Sequence, residues 1–519
     1  ASSDTASSDT ASSDTASSGD DLSVISYVVE RVDVRGNQAT RDSVILPFVP
    51  FVPGDPLSVD DWRLTSLRYR LLGTGWFSAV HLRLERGVSP GRVVLVVDVV
   101  ERNTLVIQQL AAGVGWSVRS VGSQDGNDRD PSRLAQPYLG LSLAETNLLG
   151  FGRALGLDLL LSSDEAGLSQ RGFGLRYSDP NLLPGWSLRT GIEAVQGREY
   201  FGGDDEVFAS VNCSVPELSD EERLDCQAEP DAAVLDYQRV GLRAGLGHSL
   251  GRNTRLFLQA RLDLLHVPPS GMPEAASELR GRGRGESLRV PIDFAVERGH
   301  SMVSVGRIGL TYDRRDNPAL PSSGVFAGFT GDLASNLVGT QYEFVRLTGS
   351  TDRWVSLADR HVLRFGAFLG ALFGRPPFFY KFFVTDLTDL QPSRILGLNL
   401  DHRPAPNLFG LLSSGSAFDP SAGTAVAQMR KEELAARVDA EYSWAFERRG
   451  GGFVRGGELF FLVGLYGLAD SRDLRIAVPG YQGLARVPVD LTLDFGVRLD
   501  TQIGVFRLGF AKLLWLPVR

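Results

Sequence analysis

Along residues 255–264 apolar and polar side chains alternate. Leu256, Leu258, Ala260, Leu262 and Leu264 share one face of an extended chain, and Arg255, Gln259, Arg261 and Asp263 share the other. The pattern recurs. Ile308, Leu310 and Tyr312 oppose Arg307, Thr311 and Asp313, and Val438, Ala440, Tyr442 and Trp444 oppose Arg437, Asp439, Glu441 and Ser443. From Thr104 onward the chain reads as fifteen such strands, the last at 505–515. Short connections, as in TNLLGFGR, SDPNLLPG, LGRNT and TQIG, alternate with long ones at about 197–234, 267–300 and 374–430. The polar faces carry bulky charges of both signs, and the apolar faces end in Tyr or Trp. That pattern suits lipid outside, a wet lumen inside and aromatic girdles at the interfaces. So many strands also need closed edges, which a barrel provides.

The first 102 residues differ. ASSDTASSDTASSDTASSGDD holds no apolar residue larger than Ala, so 1–23 reads as a disordered, low-complexity tether. The abrupt start at a small residue is what a mature exported chain shows. Residues 24–102 read as a compact α+β domain in the order strand, helix, helix, strand, strand. VISYVVERVDVRGN is the first strand, and Thr40–Val49 is a short helical stretch stopped by Pro50 and Pro53. Ser58 is expected to cap the second helix, with Asp60 and Asp61 in its first turn and Leu64, Leu67 and Leu71 on its apolar face. WFSAVHLRLE and RVVLVVDVVE complete the domain.

Composition narrows the classes. Hydrophobic residues make up 43% of the 519 and charged residues 22%, which excludes bulk disorder. No stretch approaches the roughly 18 apolar residues of a membrane helix, whereas the mean hydropathy of −0.04 suits alternating strands. A net charge of −9 argues against a nucleic-acid partner. Lys occurs only at 381, 431 and 512, a bias that carries no functional reading. Cys213 and Cys226, in a polar acidic stretch, predict a disulfide in an oxidising compartment, with free thiols as the alternative. The six His show no metal spacing, and no nucleophile elbow or phosphate loop is complete. No catalytic residue, metal or cofactor is expected, and the chain does not read as an enzyme.

Several segments resemble a known family. The Val-Arg-Gly-Asn turn and LLGTGWFSAVHLRLE resemble a POTRA domain, the unit that precedes the barrels of the outer-membrane assembly superfamily of BamA and TamA type. YDRRDNPALPSSG resembles a periplasmic turn of that barrel, through Asp313, Arg315, Asp316, Asn317, Pro318, Pro321 and Gly324. ETNLLGFGR, YSDPNLLPG and LDFGVRLDTQIGVFRLGFA resemble further segments, so the likeness covers about 24–515. It implies an α+β POTRA domain (24–102) followed by an all-β transmembrane barrel (103–519) of sixteen antiparallel strands, one more than the pattern shows. In such barrels a long extracellular loop folds into the lumen and its Arg pairs with acids on the wall. The matching stretch is SRILGLN, with Arg394 and Gly397 as the lock and Asp439 and Glu441 as the wall acids. The resemblance further implies localisation in the bacterial outer membrane with the POTRA domain in the periplasm. The implied function is assembly of outer-membrane β-barrels through a lateral seam, near which AAGVGWS (111–117) is rich in small residues. The implied partners are unfolded outer-membrane proteins, the lipid bilayer, and periplasmic lipoproteins or chaperones on the POTRA domain. The alternatives are a dedicated translocation pore of the two-partner secretion type, or a TamA-like factor for a subset of substrates.

Overall fold

The computed structural model describes residues 26–515 apart from 120–131, 165–166, 203–231, 252, 273–276, 282–286, 292, 317–319, 337–338, 384–385, 388–395, 399–431, 448–453, 470–488 and 502–503. The chain divides into two compact units, at residues 38–42 and 101–102.

The first unit contains β1 (Ser26–Arg35), α1 (Asp42–Ile45) running into a 3-10 turn (Leu46–Phe48), β2 (Pro56–Ser58), α2 (Trp62–Gly73), β3 (Phe77–Arg86) and β4 (Arg92–Glu101). The sheet order is β2-β1-β4-β3, with β1 and β4 parallel. Leu67 and Leu71 of α2 bury fully against Val29, Leu95 and Val97 of the central strands, as the helical spacing predicts. Two details differ from the sequence reading. Asp61, not Ser58, caps α2, its carboxylate accepting from the Arg63 amide at 2.8 Å. Ser58 instead ends the three-residue strand β2, whose Leu57 is fully buried and holds it beside β1. The Arg63 guanidinium forks onto Asp61 and holds that carboxyl below its ordinary range.

The second unit is one long antiparallel meander. Its strands are β5 (Leu105–Arg119), β6 (Ser132–Glu145), β7 (Ala154–Asp164), β8 (Gly167–Leu183), β9 (Trp186–Gly202), β10 (Ala232–Ser249) and β11 (Thr254–Val267). A separate hairpin, β12 (Ser277–Gly281) and β13 (Ser287–Pro291), follows. The meander resumes with β14 (Gly299–Asp313), β15 (Gly324–Ala334), β16 (Phe344–Ala358), β17 (His361–Gly374), β18 (Leu434–Glu447), β19 (Val454–Ala469), β20 (Val489–Thr501) and β21 (Gly504–Trp515). Every strand pairs with its neighbour in sequence, giving a fifteen-stranded sheet that runs from β5 to β21. The fifteen strands of the pattern are therefore the fifteen observed. A sixteenth is not found among the described residues. With an odd count, β5 and β21 run in the same direction.

Burial in this unit is inverted relative to a soluble sheet. Leu258 and Leu264 are about half exposed, while Asp263 on the same strand is 0% exposed. On β18, Val438 and Tyr442 face out and Asp439 and Glu441 are buried. The apolar outer face requires lipid, since water would leave so many large side chains unburied. No helix among the described residues is long and apolar enough to cross a membrane. This is a POTRA-type α+β domain followed by an antiparallel transmembrane barrel.

Candidate functional site: the filled lumen

The inner face changes character along the strands. Toward the short-turn end it carries charge: Asp158, Glu193, Arg261, Asp263, Asp332, Asp439 and Glu441. Toward the long-loop end it is mainly apolar, with Phe201, Leu235, Tyr237, Val267, Val303, Phe344 and Leu372, and Gln170 and Glu199 buried among them. A barrel wall with an apolar inner rim needs something apolar to cover it. The β17–β18 connection supplies it.

The strand β17 stops at Gly374, whose φ of +101° turns the chain inward and whose Cβ position would collide with the Glu343 carbonyl. The Pro376-Pro377 pair then leads into the 3-10 turn Phe378–Tyr380. Phe378, Phe379, Tyr380, Phe382, Phe383, Leu387 and Leu398 are all buried. Phe378 meets Tyr237 and Phe201 edge-on at centroid separations of 5.1 and 5.8 Å. Phe382 is pinned by a two-way backbone bridge to Glu432, both bonds 2.9 Å, and packs over Gly370, where any side chain would strike its ring. The run PPFFYKFF (376–383) is thus a plug, a role the sequence reading missed. Its signal was present: aromatics clustered in a connection otherwise expected to be solvated.

Polar contacts lock the plug to the charged belt. The Tyr380 hydroxyl donates to Asp263 Oδ2 at 2.9 Å, and Asp263 is held by Arg261 at 2.7 Å. Arg239, 3% exposed, donates from Nη2 to the Leu396 carbonyl at 2.7 Å and pairs with Glu193 at 2.9 Å. Its guanidinium also lies over the Phe379 ring at 4.8 Å. Arg437 donates to the Leu387 carbonyl at 3.1 Å. Small wall residues make room: a Cβ on Gly172 or Gly174 would lie 2.7 or 2.9 Å from the Leu396 side chain.

Of the residues singled out by sequence, Gly397 lies in this lock. Its φ is +79° and a Cβ there would meet Arg239 Nη2 at 3.1 Å, so glycine serves both the turn and the approach of the arginine. Arg394 lies outside the described residues. Asp439 and Glu441 are on the lumen wall, in a belt of arginines. Arg364 bonds Asp439 at 2.5 Å and Asp352 at 3.1 Å, and Arg437 Nε lies 2.8 Å from Asp439. Arg498 forks onto Glu441 at 2.7 and 2.6 Å and also bonds Glu458. Cys213 and Cys226 lie outside the described residues.

The 313–324 turn is built from local bonds. Arg315 forks back onto Asp313 at 2.9 and 2.7 Å, and stacks over Phe326 and Trp354 at 4.9 and 5.7 Å. Asp316 accepts from the Ser322 and Ser323 amides at 3.0 and 3.1 Å, which closes the turn on the side of Pro321. Asn317 and Pro318 lie outside the described residues. Gly324 has φ +114°, and a Cβ there would run into the Arg314 carbonyl. Gly324→Ala is expected to destabilise the full chain by about 1–3 kcal/mol, with Ser323→Ala within about 0.5 kcal/mol of wild type. Urea unfolding in detergent micelles measures both. Two other turns are tied together, Arg153 Nε of LLGFGR pairing with Asp179 of YSDPN at 2.9 Å.

Comparison with known proteins gives this architecture a lineage. Residues 147–384 match the Omp85 superfamily domain, and residues 27–102 match the surface antigen variable number repeat, a POTRA model. The chain thus carries an Omp85 superfamily domain behind a POTRA-type repeat. The match runs to 384, one residue past the plug, so the domain includes the entry of the β17–β18 connection. The outer membrane protein assembly factor BamA of Nitratidesulfovibrio vulgaris is 24% identical over 367 residues, 70% of this chain and 37% of that protein. The chain thus spans little more than a third of that relative's length. Similar solved structures include BamA from Haemophilus ducreyi lacking POTRA domains 1–3 (TM-score 0.47, 14% identity, 95% of this chain and 82% of that one). CdiB from Escherichia coli has a TM-score of 0.49 and 11% identity, covering 95% of this chain and 73% of that one.

Proposed function

We propose that this chain is an outer-membrane β-barrel assembly factor, with its POTRA domain in the periplasm. Unfolded outer-membrane proteins are its substrates. The observation that carries the reading is the filled lumen. A pore that passes polypeptide through its centre must first expel Phe378, Phe379, Tyr380 and Phe382 from an apolar pocket and break the Arg239 and Tyr380 locks. An assembly factor that works at a strand edge keeps its lumen closed throughout.

An edge is available. Among the described residues β5 pairs with β6 on one side and with no strand on the other. Unpaired backbone groups facing lipid are costly, so such an edge is a template for an incoming strand. Glycines at 113 and 115 weaken the strand itself and ease its exchange. The long edge strand β3 of the POTRA sheet offers the same chemistry to a substrate or a lipoprotein partner in the periplasm.

Depletion of the chain in its own bacterium, with quantitation of all outer-membrane proteins, tests this. A broad fall in unrelated barrels is expected. Loss of a single exported protein with other barrels intact overturns it in favour of a dedicated translocation pore. Loss of a small set of barrels narrows it to a specialised factor.

A further inference from the structure

On the outer face of five neighbouring strands the apolar band is interrupted by a single transverse row. Arg171 of β8 stands opposite Gln196 of β9, Gln196 opposite Gln238 of β10, Gln238 opposite His266 of β11, and His266 opposite His300 of β14. At about 4.8 Å between strands the row is about 19 Å long. One rung toward the short-turn end the same faces carry Phe173, Ala194, Val240, Leu264 and Met302, and Phe173, Val240 and Leu264 are exposed to lipid.

The row marks the edge of the membrane. On β10 the outward residues between Gln238 and His248 are Val240, Leu242, Ala244 and Leu246. At about 3.3 Å per residue and a tilt near 40°, that interval spans about 25 Å of membrane, the height of a barrel's apolar band. Its other end is marked by His248 against Trp186, ring centroids 4.4 Å apart, beside the short turns. The polar row therefore lies at the long-loop end, where headgroups begin. One rung further out, Arg198 is already neutralised by Asp236 at 2.8 Å.

The chemistry of the row is one-sided. Arg171 Nε donates to Gln196 at 2.9 Å, and because an arginine can only donate, the atom it meets is the amide oxygen. This leaves the Gln196 NH2 and the terminal guanidinium nitrogens as donors. The His266 and His300 rings stack at 4.2 Å, with His266 Nδ1 buried and His300 exposed. No carboxylate stands in the row. A line of groups that can each donate an N–H, with one fixed cation and no fixed anion, directly above an acyl-chain surface, fits an oxyanion attached to a lipid and not a free anion.

We propose that this row binds the phosphate of a net-anionic outer-leaflet lipid headgroup, with Arg171 as its fixed charge and Gln238, His266 and His300 as further donors. The placement in the outer leaflet rests on the orientation proposed above, with long loops outside. The test uses the full chain in nanodiscs of phosphatidylcholine containing lipid A or phosphatidylglycerol, with native mass spectrometry reading the lipid retained. Both anionic lipids are expected to be retained over zwitterionic phosphatidylcholine, whose choline cation offsets its phosphate. Arg171→Gln/His266→Gln/His300→Gln is expected to weaken retention about tenfold, and Arg360→Gln, at the β16–β17 turn, to leave it unchanged. Heat-modifiable gel mobility reports that each variant is folded, and Arg171→Gln alone serves if the triple variant is not. Equal retention of phosphatidylcholine, no loss in the variants, or displacement by inorganic phosphate overturns the proposal. Orientation is read separately. His300→Cys, in a Cys213→Ser/Cys226→Ser background, should react with an impermeant maleimide on intact cells. Failure to label overturns the outer-leaflet placement and leaves headgroup binding to the nanodisc result.

Discussion

Arg239→Met is expected to open the lumen. In planar bilayers the wild-type chain should conduct little, because the aromatic plug fills the apolar half of the barrel. Arg239 is the point where plug and wall meet: it holds the Leu396 carbonyl, pairs with Glu193 and covers the Phe379 ring. Methionine keeps the length and the apolar stem. It leaves a buried carbonyl without its donor and Glu193 with Arg261 as its remaining ion-pair partner among the described residues. Breaking one side of a buried, hydrogen-bonded charge costs about 3–5 kcal/mol, and even about 3 kcal/mol raises the open fraction of a two-state plug roughly a hundredfold. A rise in conductance of that order, with heat-modifiable mobility retained, is the expected result. Arg243→Met removes a neighbouring lumen arginine for which no plug contact is found among the described residues, and it should change conductance less than about twofold. If Arg239→Met conducts like wild type, the plug is not held from this residue, and the argument that a closed lumen favours work at a strand edge loses its support.

The physical reason the plug escaped the sequence reading also explains what the reading found. Strand faces are legible because the period is two: Leu258 and Asp263 fall on opposite faces whatever the partner strand, and the structure exposes one and buries the other. The same applies to local turn chemistry. Asp313 and Arg315 are two residues apart, so their fork is set by sequence alone. The contents of the lumen are not local. Tyr380 meets Asp263 across 117 residues and Arg239 meets Leu396 across 157, and no periodicity encodes either pairing. The sequence therefore points to SRILGLN, whose Gly397 lies beside Arg239, and gives no pairing for the denser aromatic run 376–383. The cap of α2 failed for a different reason. Ser58 and Asp61 both satisfy the local rule, and tertiary packing decided, because Leu57 is needed beneath β1 and draws Ser58 into β2.

The second large effect is expected in the charged belt. Arg364 sits between Asp352 on β16 and Asp439 on β18, with Glu441 at 3.7 Å, and the Asp439 side chain is fully buried. Gly366 stands beside them because a Cβ there would lie 2.7 Å from the Asp439 carboxylate. Arg364→Met should destabilise the barrel by about 3–5 kcal/mol, since two acids then face each other across β17 with Arg437 alone beside Asp439. The urea midpoint in micelles reads this. Arg364→Met/Asp439→Asn should recover part of the loss by removing the orphaned charge, and a double variant no better than the single would show that the two residues do not act as a pair. The same belt decides the role of Arg394. We propose that Arg394 adds to the positive side of this network by docking on Glu441 or Asp439. Arg394→Glu should then lower both stability and barrel assembly, and Arg394→Glu/Glu441→Arg should restore them in part. If Arg394→Glu alone changes neither, Arg364, Arg437 and Arg498 neutralise the wall acids by themselves, and the loop is held in the lumen by Arg239, Tyr380 and the aromatic plug.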